Sequence, residues 1–339
     1  MRGWTCSGRW VEAVLQISEE GFDFGEVERG IDRESGRSAS LADLGRQINR
    51  SSGLGYSEAK WRGIWKDNPE LRFRARRKLS KELREPARSV VEIEGATKGA
   101  VISDIQVPYQ DMEAVRLAIE VLGWWDPDVV VIAGDGLDCT MLSDFDQNPS
   151  RNFTLQDEAE EMQDKVLGPL RAKLKRSRIV YIPGNHEKRI RKQMYKNPWL
   201  YEMTAMRLEN LLDLGRWKVE FAEYAVKFGE DCEVSHGTFT APVAGYAAKK
   251  ELEHRAYMFS TITGHIHRSG TISVPKPGGD RVIGRENPCL CQLNPEWTSH
   301  FPRWSQGLTL LKTKSGYTPW ISSVDFASDY TTCADGKWF

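Results

Sequence analysis

The sequence contains few cysteines, no long apolar run and almost no net charge. None of its six cysteines forms a Cys-x-x-Cys pair, which argues against a structural zinc cage of the usual kind. Cys289 and Cys291 could hold a soft metal, although two buried thiols alternating along a strand are the interpretation we favour. The longest apolar run, residues 129–133, is far too short to span a bilayer. The first residues lack the apolar core of a signal peptide, so a reducing cytoplasmic location is expected.

Length and composition are typical of a globular protein. The 339 residues include 47 Lys and Arg against 48 Asp and Glu, and 40% of the chain is hydrophobic. A chain of this length can hold one large domain and a small one. We predict a small, mostly helical domain in residues 1–97 and a second domain in residues 98–339.

The N-terminal region has the outline of a helix-turn-helix. Residues 41–48 form a short amphipathic pattern with Ser40 as its N-cap, and a Gly/Ser turn separates them from a second predicted helix, residues 57–66. Residues 62–88 then carry ten Lys and Arg against four Asp and Glu. Such a basic arm favours binding of nucleic acid, with DNA as the favoured partner, through neutralisation of phosphates. The alternative is a solvated helical arm with a Trp-lined core.

From residue 99 onward, predicted strands end in polar side chains. A predicted helix, residues 112–122, lies between the first two strands and implies a parallel, right-handed crossover. A longer helix, predicted over residues 155–175, leads to the third strand. Five strand ends carry the following groups: Asp104 and Gln106; Asp135 and Asp138; Asn185 and His186; His236; His265 and His267.

Each of these groups alone has an ordinary explanation, because an Asp after a strand is usually a cap and a His is usually a satisfied polar group. Four of the six histidines at successive strand ends is not expected by chance. Open α/β sheets build their sites at the carboxyl ends of strands. Nitrogen and oxygen ligands of this kind suit Mn²⁺, Fe or Zn²⁺.

The order of these motifs over residues 99–268 resembles the calcineurin-like metallophosphoesterase superfamily. The motifs are Asp-x-Gln, Gly-Asp-x-x-Asp, Gly-Asn-His-Glu, His-Gly and Gly-His-x-His. The segment from Ser103 to Tyr109 and a late Trp-x-x-Gly, beginning at Trp304, are most similar to members encoded by phages and prophages. The resemblance implies an α/β fold, a two-sheet sandwich flanked by helices, in residues 98–339. We also expect a helical cap near residues 193–214.

The resemblance also implies a site for two divalent ions, Mn²⁺ being favoured and Fe, Zn²⁺ or Mg²⁺ being alternatives. The residues implied for the first ion are Asp104, Gln106, Asp135 and His267. Those implied for the second ion are Asp135, Asn185, His236 and His265. His186, oriented by Asp138, would act as an acid beside the scissile phosphate, which is attacked by hydroxide held between the ions.

Two positions depart from the pattern of the family. Gln106 stands where the family usually has His, and an amide oxygen binds metal more weakly than an imidazole. The first ion would therefore be labile, or this position would select a different metal. Cys139 stands where protein Ser/Thr phosphatases of the superfamily carry a phosphate-binding Arg. This difference argues against a protein phosphatase.

The substrate is indicated only by charge. Lys188, Arg189 and Arg191 directly follow the predicted catalytic turn, where the backbone of a polyanion could bind, although a solvated helix face explains them equally well. With the basic arm, they favour a nuclease over a phosphomonoesterase acting on a small substrate. A third hypothesis is a DNA-binding protein with an inert phosphoesterase domain, for which only Gln106 argues. We expect no membrane association and a cytoplasmic location, in the host if the protein is phage-encoded. The oligomeric state is open, a homodimer being one alternative.

Overall fold

The computed structural model describes Ser57 and residues 89–95, 97–144, 153–197, 200, 203–295 and 302–339. The predicted helix-turn-helix and basic arm lie outside the described residues, so that assignment stays a prediction. From Ser89 onward, the described residues lie in one compact unit, Arg88–Phe339.

Most strands of the described part of the chain form two six-stranded mixed sheets, and a short hairpin completes the set. The strands are β1 (Val90–Ile93), β2 (Thr97–Ile102), β3 (Val129–Ala133), β4 (Arg178–Ile182), β5 (Val219–Phe221), β6 (Ala225–Phe228), β7 (Cys232–Ser235), β8 (Ser260–Thr263), β9 (Gly270–Pro275), β10 (Arg281–Glu286), β11 (Gly307–Thr313), β12 (Trp320–Asp325), β13 (Cys333–Ala334) and β14 (Lys337–Trp338). The first sheet has the order β12-β11-β2-β3-β4-β5, and the second has the order β1-β6-β7-β8-β10-β9.

The helices cover the outer faces of the sheets. They are α1 (Met112–Trp125), α2 (Leu155–Met162), α3 (Gly168–Lys173), α4 (Lys188–Lys196), α5 (Leu208–Leu211) and α6 (Tyr246–His254). Helix α1 packs on one face of the first sheet, and α6 packs on β8, β9 and β10 of the second. The predicted two-sheet sandwich with flanking helices is therefore confirmed.

The central strand β3 explains why the layers stack in this order. All five of its residues are buried, as expected for a parallel strand covered on both faces. Because side chains alternate along a strand, Val130 and Ile132 join the core beneath α1, whereas Val129 and Val131 join the core between the sheets. Strands β2, β3, β4 and β5 are parallel neighbours, so their carboxyl ends lie at one edge.

Two predicted helical segments differ from the structure. The single helix predicted over residues 155–175 is divided by a π-helical turn, Gln163–Leu167, and α3 ends at Lys173. Pro169 follows this turn and lacks the N–H that a continuous α-helix requires. The segment predicted as a cap is helical in part: α4 begins earlier, at Lys188, and α5 spans a single turn. Residues 198–199 and 201–202 of that segment lie outside the described residues.

Removing the side chain of Ile132 should destabilise this layered core. Ile132 is fully buried in β3, so replacement by Ala leaves a cavity beneath α1. We expect Ile132→Ala to lower the free energy of unfolding by about 2–5 kcal/mol in urea denaturation. The control is Met258→Ala, because Met258 is 68% exposed and its loss should have little effect. Equal stabilities of the two variants would contradict this account of the core.

Candidate metal centre

The loops that follow β2, β3, β4, β7 and β8 meet at one place and bring together the seven predicted metal ligands. Hydrogen bonds within and between the two sheets hold the loops together. The backbone N–H of His265, after β8, donates to Asp104 Oδ1, after β2, over 3.0 Å. The backbone N–H of His186, after β4, donates to Asp135 Oδ1, after β3, over 2.9 Å. Residues far apart in the sequence therefore form one polar cluster.

The first group of predicted ligands surrounds the ring of His267. Its Nε2 lies 3.3 Å from Asp104 Oδ1 and 3.4 Å from Gln106 Nε2. All three side chains are buried. This is the set expected for the first ion, apart from the shared Asp135.

The second group centres on His236. Its Nε2 lies 2.8 Å from Asn185 Oδ1 and 3.3 Å from Asp135 Oδ2. The rings of His236 and His265 meet edge to face, with 5.2 Å between their centroids. Ligand atoms of Asp135, His236 and His265 all lie within 4.8 Å of one another.

The protonation of His236 shows how a cation fits this group. Its Nδ1 lies 2.9 Å from the carbonyl oxygen of Ala133, which can only accept, so Nδ1 carries a proton. Its Nε2 then faces two further oxygens. Burial opposes a charge on the ring, yet the charge of Asp135 and its hydrogen bond raise the pKa of His236 to about 9. A bound cation would replace this second proton, since metal ligation requires the neutral imidazole.

An orphaned atom supports the same conclusion. The Nδ1 of His265 is buried and has no hydrogen-bond partner among the described residues. A buried polar atom without a partner costs free energy unless something else binds it. The donor set of carboxylate, amide and imidazole groups around it therefore fits divalent metal ions.

Backbone conformation marks the same residues. Five of the seven predicted ligands have positive φ angles, a region that non-glycine residues rarely adopt. They are Asp104 (54°), Gln106 (52°), Asp135 (50°), His265 (77°) and His267 (56°). Residues held in such conformations concentrate at functional sites, where the surrounding structure compensates the strain.

His186 lies at the edge of the cluster. Its Nδ1 is 2.8 Å from the backbone carbonyl of Asp138 and 3.1 Å from Asp138 Oδ1, and its Nε2 is 3.7 Å from Asp135 Oδ2. Burial disfavours a charge on the ring, but the carboxylates of Asp135 and Asp138 raise the pKa of His186 to about 9. Nδ1 is therefore held by Asp138, and Nε2 is the nitrogen that faces the centre.

Glu187 is a residue of the centre whose role the sequence did not reveal. Its buried carboxylate accepts hydrogen bonds from Tyr181 Oη, Leu137 N, Gly184 N and Asp135 N, over 2.6, 3.0, 2.7 and 3.1 Å. Burial and the charge of Asp135 raise the pKa of Glu187, and the hydrogen bonds from Tyr181 and Leu137 oppose this. Glu187 thus joins the loops after β3 and β4.

A second missed carboxylate, Glu158 of α2, is fully buried and fixes the backbone beside Asp138. It accepts from Cys139 N over 2.6 Å and from Thr140 N over 3.0 Å. Burial raises its pKa to about 7. The motif Gly-Asn-His-Glu contained a signal for Glu187, whereas Glu158 is one of several acids in its helix and had none.

The predicted substrate-binding residues are not equivalent in the structure. Lys188 is exposed at the start of α4. Arg189 Nη1 donates to the carbonyl oxygen of Asp138 over 2.8 Å, so it supports the carbonyl that also binds His186. Arg191 forms an ion pair with Glu223, which a polyanion would have to displace.

A two-sheet α/β fold with carboxylate, amide and imidazole groups gathered at its strand ends is typical of metal-dependent hydrolases. The sequence profile of the calcineurin-like phosphoesterase family matches residues 98–268. The chain therefore belongs to the calcineurin-like phosphoesterase family, whose members act on phosphate esters with divalent metal ions. In the part of the chain that the structure describes, no helix is both long and apolar enough to cross a membrane.

Two relatives are the Gene 54 proteins of Mycobacterium phage D29 and Mycobacterium phage L5, which confirms the similarity to phage-encoded members. They are 29% and 27% identical over 181 and 177 residues, and each match covers 50% of this chain and 69% of the relative. Among solved structures, zinc-bound Vps29 from Entamoeba histolytica is similar with a TM-score of 0.36 and 14% identity, over 71% of this chain and 96% of the other. The purple acid phosphatase PPD1 from yellow lupin is similar with a TM-score of 0.37 and 12% identity, over 73% of this chain and 53% of the other.

Replacing Glu187 by Gln should weaken the whole centre. Oε1 accepts from Leu137 N, and Oε2 accepts from Asp135 N and Gly184 N, so either orientation of the amide points its NH₂ group at one or two backbone N–H donors. We expect Glu187→Gln to lower the free energy of unfolding by about 1–3 kcal/mol. Affinity for Mn²⁺, measured by calorimetry, should also fall because the loops that carry Asp135 and Asn185 lose their common acceptor.

The matched control for this prediction is Tyr181→Phe. It removes one of the four donors and leaves the carboxylate and the three backbone hydrogen bonds in place. We expect the free energy of unfolding to fall by only about 1 kcal/mol and the affinity for Mn²⁺ to be unchanged. An equal loss of metal affinity in both variants would contradict the assigned role of Glu187.

Proposed function

We propose that this protein is a metal-dependent nuclease that hydrolyses phosphodiester bonds of nucleic acid, with DNA as the favoured substrate. The observation that carries the choice of substrate is the helix that begins directly after His186 and Glu187. Helix α4 has five cationic side chains and no carboxylate: Lys188, Arg189, Arg191, Lys192 and Lys196.

The neighbours of α4 neutralise only part of this charge. Glu223 pairs with Arg191, and Asp144 lies near both Lys192 and Lys196. Even with Asp138 beside Arg189 counted as a third carboxylate, the five cations leave an excess of positive charge on α4. Such a surface attracts a polyanion, because each phosphate bound releases condensed counterions.

The metal ligands proposed for the two ions are those grouped around His267 and around His236, with Asp135 shared between the groups. Bound there, divalent cations would supply a nucleophile derived from water at neutral pH and neutralise charge on the phosphoryl oxygens. We propose Mn²⁺ for both positions, with Fe, Zn²⁺ and Mg²⁺ as alternatives, because the donors are carboxylate, amide and imidazole groups. Gln106 makes the first position the weaker one.

His186 is proposed as the acid that protonates the leaving oxygen. Its Nδ1 is fixed by the backbone carbonyl and carboxylate of Asp138, which leaves Nε2 free to face the site. Arg189 supports the same carbonyl and so keeps the ring in place. The side chains of Asp138 and Arg189 thus act on the orientation of His186.

A specific observation also supports a second function, hydrolysis of a small phosphomonoester. Arg191 and Lys192 already bind Glu223 and Asp144, which would reduce the positive charge offered to an extended substrate. The third hypothesis, an inert domain, is disfavoured by the convergence of all seven proposed ligands. The choice between nuclease and phosphatase therefore rests on experiment.

The first test is cleavage of single- and double-stranded DNA with Mn²⁺, run beside p-nitrophenyl phosphate and its bis-ester. We expect the wild type to cut DNA and to hydrolyse the diester faster than the monoester. The variant Asp135→Asn should do neither, because Asp135 contributes to both metal positions. Intact DNA with rapid hydrolysis of the monoester would instead establish a phosphatase. Full activity in Asp135→Asn would reject the proposed centre.

Charge reversal at Lys188 separates the substrates further. Lys188 is exposed at the first position of α4, where it would contact a phosphate flanking the scissile bond. We expect Lys188→Glu to weaken DNA cleavage about 10-fold or more and to make its dependence on salt shallower, because one phosphate contact and its release of counterions are lost. Hydrolysis of the small aryl diester should be unchanged.

The matched control is Lys165→Glu, at another exposed lysine, in the π-helical turn before α3. It makes the same change of net charge at a position outside α4, so DNA cleavage should be retained. Equal effects of the two variants on DNA would show that only net charge matters and would remove α4 from the substrate path.

A further inference from the structure

We propose that Cys291 is a positioning residue for His267, whose ring its sulfur orients for metal binding through Nε2. The inference rests on the proposed role of His267 as a ligand of the first ion. In this arrangement the Nδ1–H of His267 donates to Cys291 Sγ, and the lone pair of Nε2 points into the centre.

The contacts of the two ring nitrogens carry the inference. Cys291 Sγ lies 3.6 Å from His267 Nδ1, within the range for a hydrogen bond to sulfur. Nε2 faces the opposite way, toward Asp104 Oδ1 and the amide of Gln106. A neutral imidazole has one proton, and a ring that binds a cation through Nε2 must keep that proton on Nδ1. The sulfur is then its acceptor, in the place where metal-binding histidines usually have a carboxylate or carbonyl oxygen.

Cys291 is held rigidly enough for this role. Gln306 Nε2 donates to the carbonyl oxygen of Cys291 over 2.9 Å and to Asp111 Oδ2 over the same distance. Another side of the His267 ring is covered by Trp304, at 4.3 Å between ring centroids. The ring therefore lies between sulfur, indole and Asp104, and its rotation is restricted.

Cys289 provides the matched control, because its thiol contacts the backbone carbonyl of Cys291, over 4.0 Å, and has no hydrogen bond to the His267 ring among the described contacts. It is buried two residues away, and its Sγ lies 3.3 Å from the carbonyl oxygen of Ser305, to which the thiol donates. However, His267, Cys289 and Cys291 each place one possible ligand atom within 4.8 Å of those of the other two. The competing explanation is that all three bind a soft metal directly, and the experiment must separate the two.

The first measurement is the tautomer of His267 in the metal-free full-length protein, from ¹⁵N-histidine NMR. Cys291 Sγ at Nδ1 and Asp104 Oδ1 at Nε2 compete for the proton of the neutral ring, so we expect a detectable Nδ1–H fraction in the wild type. Cys291→Ala removes the acceptor and should shift the population toward the Nε2–H form, whereas Cys291→Ser retains an acceptor and should preserve Nδ1–H. Cys289→Ala should leave the tautomer unchanged. A wild type with no detectable Nδ1–H fraction, or no difference between Cys291→Ala and Cys289→Ala, would overturn the proposal.

The second measurement is affinity for Mn²⁺ by calorimetry. Loss of an outer partner of a metal-binding histidine typically weakens binding about 10–100-fold, which is the effect expected for Cys291→Ala. Cys291→Ser should recover most of the affinity, and Cys289→Ala should match the wild type. If Cys291→Ala does not fold, the wild-type tautomer and the Cys291→Ser variant still decide the question.

Cobalt substitution identifies direct ligation by sulfur. A thiolate-to-cobalt charge-transfer absorption in the wild type, lost in both Cys289→Ala and Cys291→Ala, would make the cysteines metal ligands and overturn the positioning role. We expect no such band. A wild type that binds no divalent ion but shows the Nδ1–H tautomer would reject the proposed function and retain the hydrogen bond.

Discussion

The arrangement of the centre depends on one buried carboxylate. Glu187 accepts four hydrogen bonds and thereby fixes the loop that carries Asp135 against the loop that carries Asn185 and His186. The close approach of these loops also requires Gly184, where a Cβ would lie 2.0 Å from Asp135 Oδ1. The last residue of Gly-Asn-His-Glu is therefore a structural acceptor, and the motif couples the geometry of two strands to the placement of the ligands.

This bonding helps to explain how the chain tolerates so much left-handed backbone at one place. A positive φ at a residue with a side chain costs about 1–3 kcal/mol and persists only where neighbouring contacts determine it. At Asp135 those contacts are the bonds to Glu187 and His186. At Asp104 they include Ser103 Oγ, bonded to Asp104 Oδ2, and the backbone N–H of His265. The strained backbone turns each side chain toward the common site, which an extended strand end would not do.

The sequence predicted the parts that depend on local pattern. The five buried residues of β3 follow from an unbroken apolar run, and α1 begins where Asp111 caps it, although it continues three residues beyond the predicted end, to Trp125. The loops brought together at the centre were the ones marked by strand ends and family motifs. The pairing of β1 with β6 could not be predicted, because it joins residues more than a hundred positions apart. Helix α6 was also not predicted. The sequence indicated Cys291 only as one of two buried thiols that alternate along a strand.

The two proposed ion positions differ in a way that follows from the groups around them. The second position combines Asp135 with His236 and His265 and has one amide, Asn185. In the first position the amide of Gln106 replaces an imidazole, and Asp104 already accepts hydrogen bonds from Ser103 and His265. Sulfur is a weaker hydrogen-bond acceptor than a carboxylate, so the imidazole of His267 gains less basicity from Cys291 than it would from an Asp. The amide of Gln106 and the sulfur partner of His267 thus weaken the first position, and the centre should fill in order, the second position before the first.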